Sequence, residues 1–80
     1  MKEKSVIVER IDNLCKEKRM SYYALSYRSA VPMSTLIHIV EESTANPGVL
    51  TIGKLCGGFG VTLSEFFDGP EFESIERFET

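Results

Sequence analysis

The chain has 80 residues, of which 42% are hydrophobic and 26% are charged, and its formal net charge is −3 at pH 7. This length corresponds to one small domain, and the composition is that of a globular chain, which excludes disorder over the whole length. Apolar runs of only a few residues and a charged N-terminus predict neither a membrane span nor a signal peptide.

The two cysteines, Cys15 and Cys56, are too few for a disulfide scaffold. Both fall in apolar helical patterns, so we expect buried thiols in a reducing cytoplasm. Together with His38 they do not form a metal-binding set at a recognisable spacing. The sequence shows no nucleophile–base pair and no phosphate-binding glycine loop. We therefore expect no metal, no cofactor and no enzymatic activity.

The charged residues are distributed unevenly along the chain. Residues 1–30 contain seven Lys or Arg and four Asp or Glu, a net charge of +3, whereas residues 31–80 contain two and eight, a net charge of −6. A nucleic-acid footprint is a property of one face of a protein, so the acidic total does not exclude DNA as a partner.

Apolar spacing predicts the first helix over about residues 5–18, with Ser5 as its N-cap. The residues of its apolar stripe are Ile7, Ile11, Leu14 and Cys15. Ser21 is predicted to be the N-cap of a second, short helix over about residues 22–29.

The third predicted helix covers about residues 33–42 and follows a break at Pro32, which disfavours helix at Val31. Its inward residues are predicted to be Leu36, Ile39 and Val40. The position before Val31 requires a residue that tolerates a positive φ, and Ala30 stands there at an expected cost of about 1 kcal/mol.

Residues 43–48 have the composition of a loop, and a fourth helix is predicted over about residues 49–58 with Gly60 as its left-handed cap. The apolar stripe of this helix is Ile52, Leu55, Cys56 and Phe59. Thr62 and Glu65 have the spacing of a capping box and predict a fifth helix over residues 63–67. No pattern typical of a strand is present.

The C-terminal end is acidic, and we separate a tail, residues 70–80, from a domain of residues 1–69. Phe66 and Phe67 are expected to close the core, although one of them can also serve a dimer contact. In the tail, Phe72, Ile75 and Phe78 form a narrow apolar stripe. The tail is interpreted either as a weak helix or as disordered, and either as a solvated end or as a surface for dimerisation or partner docking.

The central pattern is a helix, a tight turn and a second helix at residues 22–41, the unit that inserts its second helix in a DNA major groove. Leu25 provides the apolar anchor, Ser26 and Ser29 provide small contact residues, and Val31 provides the plug after the turn.

Residues 6–68 resemble the Cro/phage-repressor type of helix-turn-helix domain found in Xre-like transcriptional regulators. The stretches that carry the resemblance are Glu9-Arg10-Ile11, Lys16-Glu17-Lys18, Met20-Ser21, Leu25-Ser26, Ala30-Val31-Pro32-Met33-Ser34-Thr35-Leu36, Asn46-Pro47-Gly48 and Phe59-Gly60-Val61-Thr62-Leu63-Ser64-Glu65-Phe66-Phe67. The resemblance implies an all-α, five-helix bundle of the lambda-repressor-like type. It also implies a homodimer that binds double-stranded DNA and regulates transcription, most simply as a repressor.

The resemblance also implies which residues contact DNA. The base-facing positions are Met33, Ser34, Ile37, His38 and Glu41. The phosphate-contacting positions are Tyr22, Asn46, Gly48 and Lys54. Tyr22 stands where the family often has Gln, and it can either donate to a phosphate or pack as an aromatic.

These contact positions lack the base readers Arg, Lys, Asn and Gln on the third helix, and Lys54 is the only cation between residues 29 and 76. A weak surface for phosphates leaves a second interpretation open. In that interpretation the same fold is an interaction module for a protein partner, as in an antitoxin-like component, with weak or no DNA binding.

Overall fold

The computed structural model describes residues 6–41 and 47–74, and in these residues the chain forms five α-helices and a 3-10 helix, without strands. The helices are α1 (Val6–Glu17), α2 (Tyr22–Ser29), α3 (Met33–Glu41), α4 (Val49–Phe59), α5 (Leu63–Phe67) and the 3-10 helix (Pro70–Ser74). The predicted all-α architecture of five helices is confirmed, as are the bounds predicted for α2 and α5. The predicted cap Ser5 lies outside the described residues.

The predicted helix caps form because short polar side chains and a glycine stand where backbone groups lack helical partners. The Ser21 hydroxyl accepts from the Ala24 amide at 3.0 Å. In the capping box, the Thr62 hydroxyl accepts from the Glu65 amide at 3.0 Å and the Glu65 carboxylate accepts from the Thr62 amide at 2.8 Å. Gly60 ends α4 with a φ of 78°. All three caps are as predicted.

Within residues 6–41 and 47–74, two residues other than glycine adopt a positive φ, Ala30 at 62° and Arg19 at 53°. The first confirms the strained turn predicted between α2 and α3, and the second was not predicted. The turn is held by side chains of α2, because the Ser26 hydroxyl donates to the Val31 carbonyl at 2.6 Å and the Val31 amide donates to the Ser29 hydroxyl at 3.2 Å. These bonds offset the strain of the turn. Val31, which follows the turn, is buried in the core.

One hydrophobic core is built by all five helices, and its fully buried side chains include Ile11, Leu25, Leu36, Leu55 and Phe66. The two free cysteines are buried in this core, as predicted. Burial, together with the nearby Asp12 charge, raises the pKa of Cys15 to about 11. Phe66 closes the core as expected, whereas Phe67 remains 42% exposed and packs its ring edge against Phe66.

Helix α2 lies directly against α4 where Ser29 meets Gly58. A Cβ at Gly58 would lie 2.9 Å from the Ser29 Cβ and 3.0 Å from the Ser29 backbone nitrogen. Nothing lies within 4 Å of the position that a Cβ would take at Gly57, one residue earlier. Glycine is therefore required at Gly58 because the two backbones approach closely, and this approach sets the position of α2.

Arg10 joins α1 to the C-terminal end of α5. Its Nε donates to the Phe66 carbonyl at 2.6 Å and its Nη2 donates to the Glu65 carbonyl at 2.8 Å. These carbonyls end a helix, where a cation is favoured by the helix dipole and by the unpaired acceptors. The Nη1 atom lies 3.6 Å from Glu71 Oε1. This role of Arg10 was not predicted, because apolar periodicity carries no signal for a half-buried cation.

The 3-10 helix packs on the domain through Phe72 and Glu71. The Phe72 ring centroid lies 5.2 Å from that of Phe67, and the Asn13 amide donates to Glu71 Oε2 at 2.6 Å. The 3-10 helix, residues 70–74, was assigned to the tail from the sequence, but it packs on α1 and α5 through these contacts. Ile75 and Phe78 lie outside the described residues, so a role of the tail in dimerisation stays a prediction.

Replacing Gly58 with Ala is expected to lower the free energy of unfolding by about 1–3 kcal/mol, because the added methyl group overlaps Ser29. The matched change Gly57→Ala is expected to raise it by up to about 1 kcal/mol through helix propensity. Urea unfolding followed by circular dichroism measures both. Equal stability of the two variants would contradict the close packing of α2 on α4.

Stability is expected to fall below about pH 4.5 in part through Glu71. Its desolvation raises the pKa, but the Asn13 hydrogen bond, the Glu71 backbone amide and the Arg10 charge outweigh it, so the pKa lies below its ordinary value of 4.5. A depressed pKa gives stability above the unfolded-state pKa that is lost as the pH falls through the folded-state pKa. Urea unfolding between about pH 6 and 3 measures this loss.

Glu71→Gln is expected to make the acid loss of stability shallower, because the group that titrates differently in the two states is gone. Glu73→Gln removes the same charge from an exposed position of the same 3-10 helix and serves as the control. An unchanged acid slope in Glu71→Gln would show that the contact with Asn13 and Arg10 does not form in solution.

Candidate nucleic-acid interface

Helix α3 has a buried side and an exposed polar side. Leu36 and Ile39 are buried in the core, as predicted. Ser34, His38 and Glu41 are exposed and recur at i, i+4 and i+7, so they form one stripe along the helix. Three of the five predicted base-facing residues therefore lie together on a surface that a groove could accept.

The other two predicted base-facing residues, Met33 and Ile37, are half-buried, and Met33 packs against the core. They lie at the margin of the exposed stripe, where part of each side chain remains accessible. Thr35 is also exposed on α3 and was not selected by the sequence analysis. Its hydroxyl can hydrogen-bond to a base edge or a phosphate, and that chemistry is the signal that could have identified it.

Tyr22 opens α2 and is tied to α1. Its hydroxyl donates to the Asp12 carboxylate Oδ1, and its ring packs, half-buried, against the core. Burial, and then the hydrogen bond and charge of Asp12, raise the pKa of Tyr22 far above its ordinary value, so the hydroxyl keeps its proton. Of the two roles considered for Tyr22, packing is confirmed and the phosphate contact stays a prediction. Asp12 was not selected from the sequence.

The remaining predicted phosphate contacts lie on or beside α4. Gly48 is the exposed N-cap of α4, with extended backbone and no side chain to cap the helix. Lys54 is exposed on the same helix. Asn46 lies outside the described residues. The structure thus makes Gly48 and Lys54 accessible to a partner.

The exposed Lys and Arg side chains among the described residues lie at or just after the end of α1, on α2 and on α4. They are Lys16, Lys18 and Arg19 at the end of α1, Arg28 on α2 and Lys54 on α4. Helix α3 contains no Lys or Arg, and its last residue, Glu41, is acidic. Phosphates near the exposed stripe of α3 would therefore be held by neighbouring elements rather than by α3 itself.

In residues 6–41 and 47–74, no set of three or more His, Cys, Asp or Glu side chains is arranged to hold a metal ion. None of the helices there combines the length and the hydropathy needed to span a bilayer.

Comparison with known proteins identifies relatives with a helix-turn-helix. In an alignment 68 residues long that covers 75% of this chain, the sequence is 35% identical to the HTH-type transcriptional regulator PuuR of Escherichia coli strain K12, with the same figures for PuuR of Shigella flexneri. The chain is similar to helix-turn-helix transcriptional regulators. It spans 37% of the length of each of these relatives. No family model and no solved structure matches the chain.

The names of these relatives refer to a helix-turn-helix, and α2, the turn and α3 form such a unit in this chain. The comparison therefore supports the class of transcriptional regulators that the sequence resemblance implied.

The hydrogen bond between Tyr22 and Asp12 is expected to be detectable as a coupling in stability. Tyr22→Phe and Asp12→Ala should each lower the free energy of unfolding, and the double variant should lose less than their sum by about 1–2 kcal/mol. Urea unfolding of the four proteins gives this coupling. Additive losses would show that the two side chains do not interact in solution.

Proposed function

We propose that the chain is a sequence-specific DNA-binding regulator of transcription, a repressor of the Xre/Cro type, that places α3 in the major groove. The observation that carries the proposal is the polar stripe of α3, which is exposed beside the tight turn that sets α3 across α2. The similarity to helix-turn-helix regulators supports it. A regulator of this kind works in the cytoplasm, where bacterial DNA is found.

In this proposal the exposed stripe reads base edges. Ser34 and His38 hydrogen-bond to bases, and Glu41 accepts a hydrogen bond from a cytosine amino group. Met33 and Ile37, at the margin of the stripe, offer apolar contact to thymine methyl groups. Because none of these side chains forms a strong bidentate pair with a base, discrimination comes from several modest contacts.

Phosphate contacts position the helix without carrying sequence information. The groups proposed for this role are Tyr22, Asn46, the amide of Gly48 and the ammonium of Lys54. Helix α2 crosses the DNA backbone when the following helix lies in the groove, and Tyr22 at the start of α2 is the side chain proposed to meet a phosphate.

The proposed working unit is a homodimer. One copy of the chain covers one half-site, and two half-sites lie about 34–36 Å apart, one turn of the duplex. A two-fold symmetric dimer matches a palindromic DNA site. The distance between the two copies of α3 in the dimer then sets the distance between the half-sites.

Selection of duplexes from a random library is expected to recover a palindromic site that the protein prefers. Ser34→Ala and His38→Ala should each weaken binding to that site by about tenfold, because each removes a base contact. Ser64→Ala, an exposed serine on α5, is the control and should bind like the unmodified protein. Binding is measured by fluorescence anisotropy.

A library that yields no preferred duplex would contradict the proposal. So would a preferred duplex that both α3 variants bind as tightly as the unmodified protein, since α3 would then not lie in the groove.

A second candidate function is an interaction module for a protein partner on the same fold. It is favoured by the exposed tyrosines of α2, because Tyr23 and Tyr27 are 76% and 87% exposed and stand one helical turn apart. This candidate expects a tight protein complex and no preferred duplex, so the same selection separates the two functions.

A further inference from the structure

The junction between α1 and α2 forms a shallow depression that is open to solvent. It is lined by Asp12, Cys15, Lys16, Met20, Ser21 and Tyr22. The hydrogen bond from the Tyr22 hydroxyl to the Asp12 carboxylate lies here, between two half-buried side chains. Lys16 is exposed beside it. A phosphate that approached the start of α2 would therefore meet the ammonium of Lys16, the carboxylate of Asp12 and the hydroxyls of Ser21 and Tyr22.

The hydroxyl of Tyr22 can serve only one acceptor at a time. A phenol has a single O–H donor, and the phosphate oxygens of DNA only accept. While Tyr22 donates to Asp12, it has no hydrogen to offer to a phosphate. The Asp12 carboxylate also places a negative charge beside the same point, which disfavours an approaching phosphate.

We infer that Asp12 restrains DNA binding by holding the Tyr22 hydroxyl away from the phosphate. This inference rests on the proposed function, in which Tyr22 meets the DNA backbone. Asp12 is a positioning residue that acts through Tyr22 and contacts no DNA itself. The affinity of the protein for DNA depends in part on which acceptor the Tyr22 hydroxyl donates to, the Asp12 carboxylate or a phosphate oxygen.

This competition between two acceptors adjusts the affinity of the protein for DNA phosphates without adding a Lys or Arg side chain. Phosphate contacts are independent of sequence, so the restraint lowers affinity for every duplex alike. It leaves the preference for one duplex over another to α3. Loss of the restraint should therefore raise affinity while the ratio between preferred and mixed sequences stays the same.

Two substitutions at Asp12 separate its charge from its role as acceptor. Asp12→Asn removes the charge but keeps an oxygen that can accept from Tyr22, whereas Asp12→Ala removes both. Binding to a mixed-sequence duplex of about 40 base pairs, and to the duplex selected above, is measured at low salt by fluorescence anisotropy. The fold of each variant is checked by circular dichroism and urea unfolding.

Asp12→Ala is expected to bind both duplexes about fivefold to tenfold more tightly, and Asp12→Asn about twofold to threefold, because only the first frees the hydroxyl. Adding Tyr22→Phe to Asp12→Ala should reduce the gain to that of Asp12→Asn. Tyr22→Phe alone should weaken binding by a smaller factor than it does in the Asp12→Ala background, since Asp12 engages the hydroxyl in the unmodified protein.

Three results would overturn the inference. They are no gain in Asp12→Ala, a gain that survives Tyr22→Phe in full, or a loss of affinity from Tyr22→Phe that is the same with and without Asp12→Ala. If Asp12→Ala does not fold, Asp12→Asn tests the inference, and the absence of any gain in affinity there would overturn it.

Different results would overturn the proposed DNA-binding function and the inference about Asp12. If the unmodified protein prefers the selected duplex but these effects are absent, only the inference is wrong. If none of the variants binds any duplex, the proposed function and the inference are both overturned.

Discussion

The contact of Ser29 with Gly58 is the constraint on which the rest of the structure depends. The backbone of Gly58 lies so close to Ser29 that a methyl group does not fit between them. This contact therefore fixes the position of α2 on α4. The same serine accepts the Val31 amide and thereby holds the turn in which Ala30 takes a positive φ. The direction of α3, and hence of its exposed stripe, follows from a turn that α4 holds in place through α2.

Most of the fold could be predicted because local rules decide it. Apolar spacing located α1 to α5, and short-range chemistry located the caps at Ser21, Gly60 and Thr62. The roles of Arg10 and Glu71 were missed, because Arg10 contacts Phe66, 56 positions away, and Glu71 contacts Asn13, 58 positions away. Such contacts leave no periodic signal in a single sequence.

The candidate interface was predicted in part. Exposure of Ser34, His38 and Glu41 follows from the helical period once Leu36 is known to be inside. The state of the Tyr22 hydroxyl could not be predicted, since it depends on which side chain of α1 lies opposite the start of α2. That partner is the Asp12 carboxylate, which places a negative charge beside the start of α2.

The exposed stripe of α3 is proposed to lie in the major groove of DNA. Amide NMR shifts recorded while the selected duplex is added test this most directly. We expect the largest changes at Ser34, His38 and the start of α2, with small changes on α5 and the 3-10 helix. Changes confined to α5 and the 3-10 helix, with α3 unaffected, would contradict it.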